Sequence, residues 1–138
     1  MRFMIIVKAT ADSEAGVMPE EAMMQAMAAY HEELARAGVL LDGNGLQATA
    51  KGFRVHYDGD RRTVVDGPFA ETKELIAGFT IIQVASQEEA VEWARRFPNP
   101  YPDDAPGYIE VRRMFELEDF GEGDAVDRFR ELDMAGNS

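Results

Sequence analysis

The chain has 138 residues, 46% of them apolar, and 14 Lys and Arg against 26 Asp and Glu, a formal net charge of −12. That is the size of one ordinary domain with a real core, and its negative field repels phosphate backbones and anionic membrane faces, which excludes nucleic acid and membranes as partners. The absence of cysteine removes disulfides, thiolate catalysis and cysteine-ligated metals, and fits a cytoplasmic protein.

Residues 3–7, Phe-Met-Ile-Ile-Val, are apolar on both faces and predict a strand buried on both sides. They are also the longest apolar run, too short to cross a bilayer or to serve as the apolar region of a signal peptide. Residues 10–16 read as a polar loop, and Pro19 fits a first helical turn. Residues 20–37 contain no Gly or Pro. Met23, Met27, Tyr30, Leu34 and Ala37 recur every three or four positions, the apolar stripe of a helix that Gly38 ends.

Residues 40–52 are rich in Gly and Asn and predict a loop. Phe53-Arg54-Val55-His56-Tyr57 alternates, as a half-buried strand does. Asp58-Gly59 signals a hairpin, with residues 61–65 returning. Residues 77–84 form a second strand apolar on both faces. Ser86 and Glu89 have capping-box spacing and open a helix with Ala90, Trp93, Ala94 and Phe97 inward, which Pro98 stops. Residues 108–112 alternate once more. Residues 116–138 hold eight acids and two Arg and read as a peripheral tail with a short helix at residues 124–132.

Strand–helix–strand, a hairpin, then strand–helix–strand is the α+β, ferredoxin-like split βαβ pattern. It gives an antiparallel sheet with helices on one face. The first strand of each unit is the doubly apolar one, as its central position in this sheet requires. Two helices cover only one sheet face. A second subunit packed sheet to sheet is the simplest cover for the other, so a homodimer is expected.

Gly43-Asn44-Gly45-Leu46-Gln47-Ala48 matches the G-x-G-x-x-A dinucleotide pattern but lacks the strand before it and the helix after it, so it reads as a tight turn. The two histidines, His31 and His56, lie on different elements without metal-ligand spacing, so no metal is expected. His31 flanks the apolar stripe of its helix. It is either a half-buried His bonded to a backbone carbonyl or a general base. Arg54 and Arg112, on alternating strands, either hold an anionic ligand or block sheet growth at an edge. Asp66-Gly67-Pro68-Phe69-Ala70-Glu71-Thr72-Lys73-Glu74 is a rigid corner that fixes Phe69, either as buried structure or as a pocket wall, with Glu71, Lys73 and Glu74 exposed.

This nonapeptide, followed by Gly78-Phe79, resembles the signature of the DGPF subgroup of the YCII-related (YciI-like) family. Tyr30-His31-Glu32-Glu33-Leu34, Glu92-Trp93-Ala94 and Glu110-Val111-Arg112 add to the likeness, which covers residues 1–115 and leaves 116–138 as an acidic tail. The resemblance implies a dimeric α/β barrel. Smaller members carry a His on the first helix, which His31 matches, and an Asp in an Asp-Pro-Tyr segment, where this chain has Asn99-Pro100-Tyr101. An Asn cannot stabilise an imidazolium by charge, which makes Asp66 the substitute partner. DGPF proteins are often linked to extracytoplasmic-function sigma factors, which implies a regulatory context.

Two functions follow. One is a cofactor-free enzyme of isomerase or hydrolase type. Its small-molecule pocket would lie between the first helix, the sheet and residues 66–74. His31 is the acid/base, Asp66 orients it or meets the ligand, and Arg54, Phe69 and Arg112 bind. The other is a non-catalytic module that senses a ligand or holds a regulatory protein through its acidic tail.

Overall fold

The computed structural model describes residues 1–70 and 72–136. In chain order it has β1 (Arg2–Lys8), α1 (Ala11–Glu14), α2 (Glu21–Arg36), β2 (Leu40–Gly45), β3 (Phe53–Asp58) and β4 (Arg61–Asp66). Then come β5 (Ile76–Gln83), α3 (Gln87–Arg95), β6 (Ile109–Arg113) and α4 (Asp124–Gly136).

One sheet has the order β2-β5-β1-β6, with every neighbouring pair antiparallel. The doubly apolar strands β1 and β5 are central, which is why both their faces avoid charge. This interleaving of two βαβ units is the split βαβ arrangement. Ile5 sits opposite Thr80 on one side and Val111 on the other, so these three share a face. That face carries the core. Ile5 and Ile82 meet Tyr30 and Leu34 of α2 and Ala90 and Trp93 of α3. The Tyr30 hydroxyl donates to the Trp93 carbonyl at 2.7 Å and ties the two helices together. On the opposite face Ile6 is buried, while Met4, Phe79 and Ile81 are half-buried.

Several expectations are corrected. Residues 40–45 are an edge strand, not a loop. The hydrogen bonds of β5 outweigh the poor strand propensity of Gly43, Asn44 and Gly45. The strand at residues 53–58 is therefore not an edge of the main sheet. It pairs only with β4, in a two-stranded ribbon closed by Gly59-Asp60, and all twelve strand residues are exposed rather than half-buried. Residues 11–14 form a helical turn capped reciprocally by Thr10 and Ser13, where a loop was expected. Helix α2 starts after Pro19, and Ala37 is exposed just beyond its end, where Gly38 takes φ +74°.

Ser86 caps α3 by accepting from the Glu89 N–H, and Glu89 reaches back one residue further than expected, to the Ala85 N–H. The tail does hold a helix, α4, longer than the one anticipated.

Candidate functional site

Helix α2 lies across the sheet and delivers His31 over the β2–β5 pair. Nδ1 of His31 is 2.8 Å from the carbonyl oxygen of Met27, one turn earlier on the same helix. Nε2 is 2.8 Å from Oγ1 of Thr80 on β5. A carbonyl oxygen can only accept, so Nδ1 carries the proton. In the neutral ring Nε2 is then an acceptor, and the Thr80 hydroxyl donates to it. The geometry thus fixes the tautomer and points a basic lone pair at a hydroxyl.

The surroundings hold this pair in place. A Cβ at Gly43 would lie 3.4 Å from His31 Nε2, at ordinary contact distance, so β2 runs directly alongside the ring. Tyr30 and Phe97 meet the imidazole edge-on, with centroids 5.6 and 6.4 Å away. Thr80 is buried at 3% exposure, while His31 is half-exposed and accessible from outside. Burial pushes the Tyr30 phenol from 10.0 up to about 12, so it stays a neutral donor to Trp93 beside the ring.

The corner at residues 66–69 is a second constellation. Its Gly67-Pro68 peptide is cis. A Cβ on Gly67 would lie 1.9 Å from the Thr49 carbonyl oxygen, so only glycine fits there. The Gly67 N–H bonds the Gly52 carbonyl at 3.0 Å. Thr49 is the hub. Its Oγ1 accepts from the Phe69 N–H at 3.0 Å and donates to Glu14 Oε2, while its own N–H donates to Glu14 Oε1. One carboxylate on α1 therefore holds the 3₁₀ turn Thr49–Lys51, which in turn holds the corner. Phe69 is half-buried, and the Arg54 guanidinium lies 3.8 Å from its ring centre. Lys73 and Glu74 are exposed, and Glu71 lies outside the described residues.

The predicted site residues fall in three places. Arg54 and Phe69 are in contact. His31 is bonded to Met27 and Thr80, not to Asp66, which is exposed at the end of β4 opposite Phe53. Arg112 is one residue from Val111, which shares the core face with Thr80. The strand register therefore puts Arg112 on the sheet face away from His31, exposed and beside Glu110 at 3.9 Å.

Asn99, which stands where the resemblance implies an Asp, closes its own loop. It accepts from the Tyr101 N–H and donates to the Ala105 carbonyl. The Tyr101 hydroxyl donates to the Tyr108 carbonyl, and burial raises its pKa.

Sequence reasoning missed Thr80, Gly43, Thr49 and Glu14. Thr80 left a signal, the one hydroxyl in the otherwise apolar run Ile76–Gln83 before its terminal Gln. Glu14 and Thr49 left none, since they lie 35 positions apart in two segments whose composition reads as loop.

Among the described residues no three His, Asp or Glu side chains converge as a metal ion requires. No described helix is long and apolar enough to cross a membrane. An open groove of about 380 Å³ runs between α3 and β6. Its floor is Phe3, Ala90, Ala94 and Val111, with Val91, Arg95 and Arg113 at its rim, and none of the five predicted site residues lines it.

The YCII-related domain model matches residues 1–118. An uncharacterised protein of Rhizobium meliloti (strain 1021), R00369, is 36% identical over 95 residues, spanning 69% of this chain and 75% of that protein. A solved structure of 5-chloro-2-hydroxyhydroquinone dehydrochlorinase (TftG) from Burkholderia phenoliruptrix AC1100, in complex with 2,5-dihydroxybenzoquinone, aligns with a TM-score of 0.45 at 17% identity. The alignment covers 84% of this chain and 95% of that one. With the match extending from the first strand through β6 and the residues just after it, the chain belongs to the YCII-related domain family.

Proposed function

We propose that this protein is a cofactor-free acid/base enzyme of the DGPF subgroup, with His31 as its base. The observation that carries the reading is the His31–Thr80 pair, a tautomer-fixed imidazole lone pair held on a buried hydroxyl. An acidic C–H or O–H of a small molecule gives its proton to Nε2, directly or by way of the Thr80 hydroxyl. The imidazolium returns it to a neighbouring atom, which is isomerase-type chemistry; the same base acting on water gives hydrolysis. The Met27 carbonyl takes the orienting role first assigned to Asp66. Arg54, stacked on Phe69, supplies a cation for an anionic group of the ligand. The half-buried Met4, Phe79 and Ile81 support sheet-to-sheet pairing of two copies as a dimeric α/β barrel.

A second reading has its own support. Both ring nitrogens of His31 are already bonded within the chain, which suits a structural histidine in a non-catalytic, ligand-sensing module.

A thermal-shift screen against a broad metabolite set separates the two. A ligand at about 100 times its Kd adds roughly 2.7 kcal/mol, a clear melting shift. The enzyme reading expects a hit that the wild type consumes, that His31→Gln binds without consuming, and that Thr80→Val turns over more slowly. A hit bound but never consumed favours the sensing module. Consumption unchanged by His31→Gln removes His31 from the mechanism.

A further inference from the structure

Helix α4 and the groove between α3 and β6 are both apolar and both uncovered in the single chain. Along α4, Ala125, Phe129 and Leu132 recur at intervals of four and three and form an apolar stripe. Phe129 and Leu132 are 60% and 66% exposed, so the stripe is bare. The groove is apolar along its floor, about 380 Å³ in volume, and lined by no residue of α4. Its apolar lining suits the apolar side of one helix.

Charge points the same way. Arg113 at the rim has no carboxylate partner among the described residues, and Arg95 has only the exposed, distant pairing with Glu92 at 3.8 Å. Asp133 lies beside the stripe on the helical wheel and likewise has no basic partner among the described residues. An apolar helix stripe with an acid on one flank is thus complementary to an apolar groove with Arg113, unpaired among the described residues, at its mouth.

The root of α4 decides whose groove it enters. Glu116, which caps the 3₁₀ turn Leu117–Phe120, is tied to Arg2 of β1 at 3.1 Å, and Phe120 of the turn packs tilted on Phe115 with ring centres 4.9 Å apart. Only residues 121–123 separate that turn from α4, and α4 stays near the turn while none of its residues lines the groove of its own chain. We infer that α4 docks in the α3–β6 groove of a second copy of this chain, with Phe129 and Leu132 on the groove floor and Asp133 at Arg113. Exchange between two copies covers both stripes and both grooves at once, the isologous closure of a two-fold pair.

The test uses the absence of cysteine. A chain carrying Leu132→Cys is co-expressed with one carrying Val91→Cys, both positions being exposed in the single chain. A disulfide requires Cα atoms within about 7 Å, so a bridge reports helix placement directly. The expected result is a covalent species of twice the chain's mass on mild oxidation, whose digest links position 132 to position 91. A pair combining Leu132→Cys with Val17→Cys, away from the groove, should give none. Absence of the 132–91 bridge overturns the proposal. So does a chain carrying both substitutions that closes within itself at monomer mass. The result does not depend on the enzyme reading or on sheet-to-sheet pairing, since it reads where α4 lies rather than whether copies associate.

Discussion

Strands β3 and β6 have nearly the same pattern and opposite fates. Phe53-Arg54-Val55-His56-Tyr57 and Ile109-Glu110-Val111-Arg112 both alternate apolar with polar. In β6 the apolar set, Ile109 and Val111, packs onto the core because β1 hydrogen-bonds alongside. In β3 the apolar set projects from a two-stranded ribbon, with Phe53 and Tyr57 66% and 68% exposed. Alternation encodes that a strand has two unlike faces. It does not encode which neighbour covers the apolar one.

The energetic side of the comparison breaks or holds first at its extremes. Leu34 is fully enclosed beneath the sheet, so Leu34→Ala should cost about 2–5 kcal/mol in urea unfolding. Tyr57→Ala in the ribbon should stay within about 0.5 kcal/mol when the protein is monomeric. A core-sized loss at Tyr57 would mean that the ribbon is covered in the assembly, and the contrast would vanish.

The junction between the two regions comes next. Gly67→Ala drives a Cβ into the Thr49 backbone and should cost about 1–3 kcal/mol. Gly45→Ala, with open space around its position, is the control and should cost far less. Equal melting temperatures for the two variants would show that the corner yields freely.

Thr49→Val removes the hydroxyl that joins Glu14 to the Phe69 N–H. A loss of about 1–2 kcal/mol is expected, recovered by Thr49→Ser. If Ser fails to rescue, the methyl rather than the hydroxyl holds the corner.

The smallest effect sharpens the core side. Tyr30→Phe removes the side-chain donor to the Trp93 carbonyl, which keeps only the Arg96 N–H, and should cost about 1 kcal/mol near neutrality. It also changes the alkaline limb. Above pH 10 the unfolded tyrosine ionises, while folded Tyr30 holds its proton to about 12. The folded state then binds more protons, and stability falls as pH rises through that window. Melting temperatures from pH 9 to 12 should decline less steeply for Tyr30→Phe than for the wild type.

The fold was legible where burial is local to a pattern. The doubly apolar runs at β1 and β5 mark the centre of the sheet, and Tyr30, Leu34, Ala90 and Trp93 mark the helix faces because 3.6-residue periodicity survives any tertiary detail. The edge strand β2 was not legible. Gly43, Asn44 and Gly45 have turn chemistry, and only pairing with β5 and the approach of His31 make them a strand.

The candidate site divides in the same way. Composition and spacing singled out His31 and the corner from Asp66 to Phe69, because a half-buried imidazole and a Gly-Pro break are visible in one dimension. The partners of those groups were decided by the tertiary structure. Thr80 meets His31 from 49 residues away, and Glu14 meets Thr49 from 35. Such contacts follow from how α2 crosses the sheet and how α1 folds beside it. No pattern within a single element records a distance between elements, so the sequence determined which side chains are available for chemistry and the packing of helices on the sheet decided which of them touch.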